Sequence, residues 1–300
     1  LFLLCSEGLN GLLNKAVARG DLRGFSLCKN GPQISHLFFA DDSLIFCRAR
    51  MGDVQAIQVA LSLYERASGQ KINGSKTNLF FGKSVLESTK LDLMNYLGVP
   101  EIKEYEKYLG LPAMVGRKKK ESFIYIKERI WGKLQGWKEK LLSQAGREVL
   151  LKAIVQAIPS FAMSCFQLLV NLCHEIEVMI KKCFWGQRGE RRKIHWKNWE
   201  SLCMPKNEGG MGFKELRKFN EAMLAKQVWR LVHDKKSLFY WVFKAKFFPS
   251  GDIFSAHVKT GSYAWWSILE ARYIIVEGAR YRVGNGQSVR NYKDCWLPGD

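Results

Sequence analysis

The sequence of 300 residues contains no apolar run of the ~18–20 residues that a membrane-spanning helix requires. Its opening, Leu1-Phe2-Leu3-Leu4-Cys5, has neither the basic start nor the small-residue cleavage site of a secretory signal. The eight cysteines, at 5, 28, 47, 165, 173, 183, 203 and 295, include no CxxC pair and sit mostly among apolar neighbours, the pattern of reduced thiols acting as small core residues. A zinc set can be written from Cys173, His174, Cys183, His195 and Cys203, but its spacings match no compact ligand motif, so no zinc is expected. Internal repeats and low-complexity tracts are also missing. These absences point to an intracellular chain of the nucleus or cytoplasm, not a secreted or membrane-bound one.

Acidic side chains are scarce as well: 28 Asp and Glu face 47 Lys and Arg, a formal charge of +19. Such an excess creates a field suited to a polyanion, and nucleic acid is the commonest polyanion in a cell. The excess is local. Residues 1–60 hold six basic and five acidic side chains, whereas 116–152 hold eleven and four, and 181–197 hold seven and one. A nearly neutral front followed by basic segments argues for dedicated contact surfaces rather than a uniformly basic exterior.

Apolar spacing predicts helices over 2–18, 54–67 and 85–97, the second ended by Gly69. Short apolar runs predict strands over 24–28, 34–39, 43–47, 77–81 and 105–109, the first two joined by a turn at Asn30-Gly31. After Gly116 the pattern turns helical, over 123–134, 143–158 (closed by Pro159), 160–185 with a break near Val170-Asn171, and 216–232. Residues 186–212 read as a basic, Trp-rich and Gly-rich loop, and a hairpin is expected around Gly284-Asn285-Gly286. The fold class is therefore α+β, with an antiparallel sheet carrying helices on one face.

The segment that carries chemistry is Leu37-Phe38-Phe39-Ala40-Asp41-Asp42-Ser43-Leu44-Ile45-Phe46. Two adjacent carboxylates between strongly apolar strands repel each other and are costly to desolvate. A polar turn would accommodate them, since Asp is a favoured turn residue. A divalent cation gives them a purpose: Mg²⁺ takes carboxylate and phosphate oxygens, and two such ions can align an attacking hydroxyl and a departing oxygen.

Phe39-Ala40-Asp41-Asp42 resembles the catalytic hairpin of reverse transcriptases, in the form common in LINE-type retroelements. Ser68-Gly69-Gln70-Lys71-Ile72-Asn73 through Lys76, and then Tyr108-Leu109-Gly110-Leu111-Pro112, are similar to the family's following motifs in the same order. The likeness narrows to the plant branch in Ala145-Gly146-Arg147, Phe184-Trp185-Gly186, Leu202-Cys203-Met204-Pro205-Lys206, Gly209-Gly210-Met211-Gly212-Phe213, Phe219-Asn220 and Lys246-Phe247-Phe248-Pro249, and covers nearly the whole chain.

The resemblance implies a truncated polymerase palm over 1–82, a primer-grip connection over 83–115, a helical thumb over 116–170 and a helical, Trp-rich extension over 171–300. Asp41 and Asp42 are the implied metal-binding catalytic residues of a two-metal Mg²⁺ site. Lys76 is the implied cation beside the leaving pyrophosphate, and Tyr108, Leu109 and Gly110 are the implied grip on the primer end. The partners implied are an RNA template, a DNA primer and deoxynucleotides. The family's first metal-binding Asp is expected upstream of the opening helix, as are the fingers, which leaves the two-metal site incomplete in this chain. The Cys/His cluster often found near the family's C-terminus is not seen.

Arg117, Lys118, Lys119 and Lys120, with Lys127, Arg129, Lys133, Lys138 and Lys140, read as a phosphate-tracking set, though a solvated helix start would look similar. Arg147 is either a phosphate contact or a helix-surface cation. Trp131 and Trp137 are candidates for base stacking, whereas Trp265, Trp266 and Trp296 are expected in the core. Three readings of the chain follow: an RNA-directed DNA polymerase segment, a nucleic-acid-binding remnant without catalysis, or a decayed product that folds poorly.

Overall fold

A computed structural model describes residues 2–102, 107–112, 115–116, 118–138, 142–186, 193–257, 261–280, 284–285 and 287. The architecture is mixed and mostly helical, with a small antiparallel two-stranded sheet. The chain divides into two compact units, residues 1–108 with 241–249, and residues 109–240 with 250–300. No described helix is long and apolar enough to cross a membrane.

In the first unit, α1 (Phe2–Arg19) and α2 (Met51–Ser68) pack against one face of a hairpin of β1 (His36–Phe39) and β2 (Asp42–Ile45). Leu9 and Leu13 of α1, four residues apart, meet Leu22 and Ala60 in a small core to which the hairpin adds Phe38 and Ile45. The strands pair His36↔Ile45, Leu37↔Leu44, Phe38↔Ser43 and Phe39↔Asp42. The period of two turns Phe38 toward the helices and leaves Phe39 exposed. His36 ties the hairpin to α1: its Nε2 lies 2.8 Å from Asn10 Oδ1, its Nδ1 2.9 Å from Ser35 Oγ, and burial lowers its pKa. As expected, α2 ends at Gly69, which takes φ 72° and donates its N–H to Glu65 O at 2.9 Å. The third helix of this unit, α3 (Glu87–Leu97), ends on Gly98 in the same way.

Two expected strands are absent. Residues 24–28 make only a bridge, Phe25↔Ile34, because Ser26 Oγ donates toward Cys28 O and Gly31 O and folds the segment into a loop. Residues 77–81 make a single parallel bridge, Leu79↔Glu101, in which Leu79 N–H reaches the carbonyl of Pro100; that proline has no N–H with which to extend a ladder. The sheet is correspondingly smaller than the one anticipated.

Asp53, at the start of α2, is buried and accepts hydrogen bonds from Arg23 N–H (3.1 Å) and from Arg48 Nε and Nη2 (3.1 and 2.9 Å). Burial pushes its carboxyl upward, but the Arg48 and Arg23 hydrogen bonds and the Arg48 charge together hold it below the ordinary value. A depressed folded value means that this carboxylate stabilises above the unfolded pKa of ~3.9 and loses its effect as pH falls through the folded one. Asp53→Asn is expected to cost roughly 2–3 kcal/mol at neutral pH, the worth of charge-assisted hydrogen bonds to a buried acceptor. Urea melts of the two proteins should converge on acidification; parallel curves would refute the assignment.

Past two short strands, β3 (Lys107–Tyr108) and β4 (Leu111–Pro112), the second unit is helical: α4 (Lys119–Lys138), α5 (Gln144–Leu150), α6 (Ser160–Cys165), α7 (Val170–Phe184), α8 (Trp199–Cys203), α9 (Leu216–His233), α10 (Leu238–Phe247, whose residues from Trp241 count with the first unit), α11 (Tyr263–Glu270) and α12 (Arg272–Gly278). Phe123, Ile126, Ile130 and Leu134 form the buried stripe of α4, and Cys173, Ile176, Ile180 and Phe184 that of α7. One core holds both stripes together with Leu151, Val155, Leu202, Phe213 and Leu216. Ser143 caps α5 by accepting from Gly146 N–H, and α5 runs on into a π-helical turn, Leu151–Val155.

The long helix expected over 160–185 breaks earlier than anticipated, at Phe166–Leu169, and α7 starts at Val170. The loop expected over 186–212 contains α8, capped by Asn198. The strands expected around Gly284 lie outside the described residues.

Candidate nucleic-acid and metal site

The hairpin connection is two residues long, Ala40 and Asp41, with Phe39↔Asp42 as the closing pair. Ala40 takes φ 51°, in the first central position where tight hairpins favour glycine. The strained turn places Asp41 at the tip and Asp42 at the first position of β2, both exposed. The expectation of two carboxylates at the tip of an antiparallel hairpin therefore matches the geometry.

Among the described residues, only one other non-glycine has a positive φ: Leu109, at 51°, followed by Gly110 at 77°. It lies in the third segment that the sequence singled out, between β3 and β4. Positive φ in a side-chain-bearing residue costs roughly 1–2 kcal/mol and tends to concentrate where backbone shape serves a site. Gly110 has open space where a Cβ would stand, so its glycine answers to conformation rather than crowding.

Lys76 is exposed in a turn held by hydrogen bonds from Lys76 N–H and Thr77 N–H to Asn73 O, and no hydrogen bond or ion pair joins it to Asp41 or Asp42. Among the described residues, no three His, Cys, Asp or Glu side chains converge as a metal-binding group. The donor set at the tip is thus two carboxylates from one turn. That suits one hard divalent cation completed by water or phosphate, and falls short of a bridged pair of ions. The Cys173 and Cys203 thiols are pushed up to about 12, by burial first and then by carboxylates including Glu177, which opposes the thiolate form that zinc requires.

The basic segment 116–152 resolves into side chains with different employments. Lys118 is exposed and 3.2 Å from Glu121. The Lys119 ammonium sits 4.4 Å from the centre of the Tyr263 ring and 5.3 Å from that of Trp266. Lys120, Arg129 and Lys133 are exposed, while Lys127 is paired with Glu175. Arg117 and Lys140 lie outside the described residues. Arg147 is half-buried: one arm donates to Phe184 O at 3.2 Å and the other to Leu142 O at 3.0 Å, so it secures the C-terminal end of α7. That geometry describes a helix-end clamp. Trp131 is 50% exposed, whereas Trp137 packs against the core.

Sequence reasoning assigned no role to three polar residues that hold this unit. Gln156 is buried and exchanges both amide hydrogen bonds with the backbone of Lys214. Glu177, whose carboxyl is raised by burial, accepts from Leu216 N–H at the start of α9. Asn220 binds three backbone groups between Met163 and Leu168. The signal for Asn220 was present in Phe219-Asn220, a motif whose reason was hidden.

No protein-family model matches the chain. Over 194 residues, 63% of the chain, it is 32% identical to the Arabidopsis thaliana protein named "Putative ribonuclease H protein At1g65750", of which it spans 31%. It shares 49% identity over 43 residues with the uncharacterized mitochondrial protein AtMg01250 of the same plant, spanning 35% of it. Over 143 residues it is 35% identical to the uncharacterized mitochondrial protein AtMg00310 of Arabidopsis thaliana and covers 93% of that protein. A match at that level across nearly the full length of the relative places the chain in the same family as AtMg00310.

Proposed function

We propose that the chain is part of a reverse transcriptase from a plant LINE-type retroelement, running from the catalytic hairpin of the palm into the thumb and beyond, and that by itself it binds nucleic acid without polymerising. The observation that carries this reading is the Phe39-Ala40-Asp41-Asp42 hairpin, with two exposed carboxylates on a strained two-residue turn. A turn selected only to reverse the chain would favour glycine at position 40. A relative named for ribonuclease H accords with a retroelement origin.

In this reading Asp41 and Asp42 are the residues that would hold Mg²⁺. The metal supplies charge neutralisation and activation of a primer hydroxyl. Tyr108, Leu109 and Gly110 steady the primer end, and Lys76 offers a proton or charge to the departing pyrophosphate. The exposed cations Lys118, Lys120, Arg129 and Lys133 attract the phosphate backbone. Two adjacent carboxylates do not hold both ions of a polymerase, and no third carboxylate joins them among the described residues, so nucleotide incorporation is not expected.

The test pairs a binding titration with primer extension. RNA and DNA should bind with little sequence preference, with log K falling against log salt at a slope on the order of −0.7 per phosphate contact on a single strand. Neutralising Arg117, Lys118, Lys119 and Lys120 together should flatten that slope, and Asp41→Ala should leave it unchanged. Salt-independent binding would refute the nucleic-acid reading. Mg²⁺-dependent extension abolished by Asp41→Ala would refute the claim of inactivity.

A further inference from the structure

The outer face of α9 carries an arrangement that the hairpin and the 116–152 segment do not account for. The helix buries Leu216, Asn220, Leu224, Ala225, Val228 and Leu231. At roughly 100° per residue, Lys218, Ala222, Lys226, Trp229 and His233 then fall within a sector of about 80° on the opposite side. Within it the rings of Trp229 and His233 stack, with centroids 3.9 Å apart and planes inclined by 30°. Trp229 is nevertheless 43% exposed, and His233 is exposed too. An indole is costly to leave in water, and this one is held open beside a second ring rather than folded inward.

The charge around the pair is mostly positive, with Asp234 at the end of α9 the acidic exception. Lys226, one turn before Trp229, is exposed and makes no ion pair among the described residues. Arg230 and Lys236 are also exposed; the Arg230 guanidinium lies 5.1 Å from the centre of the Phe239 ring and 3.5 Å from Asp234, contacts that leave it half-exposed. Lys218, at the far end of the sector, is paired with Glu215, and no acidic residue lies within the sector itself. Cations that follow a backbone and an aromatic face that accepts any base are the two components of sequence-tolerant single-strand recognition.

We propose that this face of α9 is a binding site for single-stranded nucleic acid, in which a base stacks on the Trp229–His233 pair while Lys226 and Arg230 meet the flanking phosphates. The proposal rests on the nucleic-acid reading above and adds a second contact region to it. It also carries a preference that the basic segments alone do not imply: an unpaired base can reach the indole, whereas a base inside a duplex cannot.

The experiment titrates the full chain with a fluorescent 12-nucleotide single strand and with the 12-base-pair duplex of the same sequence. Trp229→Ala should weaken single-strand binding about ten-fold, leave duplex binding nearly unchanged and preserve the salt slope, because stacking releases no counterions. Trp229→Phe should restore most of the affinity, and Lys226→Ala should lower the slope. A thermal melt checks that each variant folds; if Trp229→Ala melts early, Lys226→Glu reads the same face and should selectively weaken the single strand. Unchanged single-strand affinity in Trp229→Ala, or an equal loss on the duplex, would overturn this site while leaving the general reading intact. A wild-type chain that binds neither ligand would instead sink the general reading.

Discussion

Gly210→Ala is expected to cost about 3 kcal/mol or more, because a β-carbon at this position would stand 2.0 Å from the carbonyl oxygen of Met204 and 2.4 Å from its carbon. Both are backbone atoms on a segment with little freedom to retreat. Gly210 N–H donates to Pro205 O, Gly212 N–H to Met204 O, and Met211 and Phe213 N–H to Leu202 O, drawing 202–213 into a closed turn. Phe213 carries that turn into the core against Phe184 and Trp199. Gly209 is the control. Its φ of 78° makes a side chain unfavourable, but nothing stands within 4 Å of its added β-carbon, so Gly209→Ala should cost only ~1–2 kcal/mol. Urea midpoints of the two variants give the comparison. Equal losses would mean that the turn relaxes and that the close approach at Gly210 is not what holds it.

The same turn shows what could be read in advance and what could not. Gly209-Gly210-Met211-Gly212-Phe213 was visible as a motif, but the neighbour that forbids a side chain at Gly210 lies six residues earlier, beyond the reach of local pattern. Helices α1, α2, α3 and α9 were legible because their apolar spacing is strong and glycine ends α2 and α3. The strand expected over 24–28 failed because a serine hydroxyl captured nearby carbonyls, and the one over 77–81 because its partner contains a proline. At the candidate site, the tip carboxylates followed directly from sequence. The employment of the cations did not: charge is visible in a sequence, but the rings that hold Lys119, the glutamate that pairs Lys127 and the carbonyls that bind Arg147 are not.

Asn220→Ala should produce the other large loss, about 3–5 kcal/mol, from a single side chain that is 2% exposed. Its carbonyl oxygen accepts from Leu168 N–H at 2.7 Å, and its amide donates to Met163 O at 2.8 Å and Phe166 O at 2.9 Å. These groups lie at the break between α6 and α7, where the backbone leaves helical geometry at Phe166 and its polar groups lose their intrahelical partners. The facing side of the break is held by α11: Gln167 N–H donates to Ser267 Oγ at 2.9 Å, and Tyr263 OH donates to Gln167 O at 2.5 Å. Alanine at 220 would strand one donor and two acceptors, each worth ~1–3 kcal/mol when buried without a partner. Ser267→Ala strands one and should cost correspondingly less. Asn220→Asp distinguishes this account from simple packing, since aspartate is nearly isosteric but presents two acceptors to two carbonyl oxygens. Its charged form is disfavoured by burial and by those oxygens, which raises the folded pKa above the ordinary carboxyl value. The Asn220→Asp protein should therefore be the least stable of the three at neutral pH and should regain stability as pH falls through that raised value, while the alanine protein shows no such recovery. Chemical denaturation at neutral and mildly acidic pH reads both effects. A loss below about 1 kcal/mol in Asn220→Ala would show that water or a backbone shift satisfies the break without the asparagine.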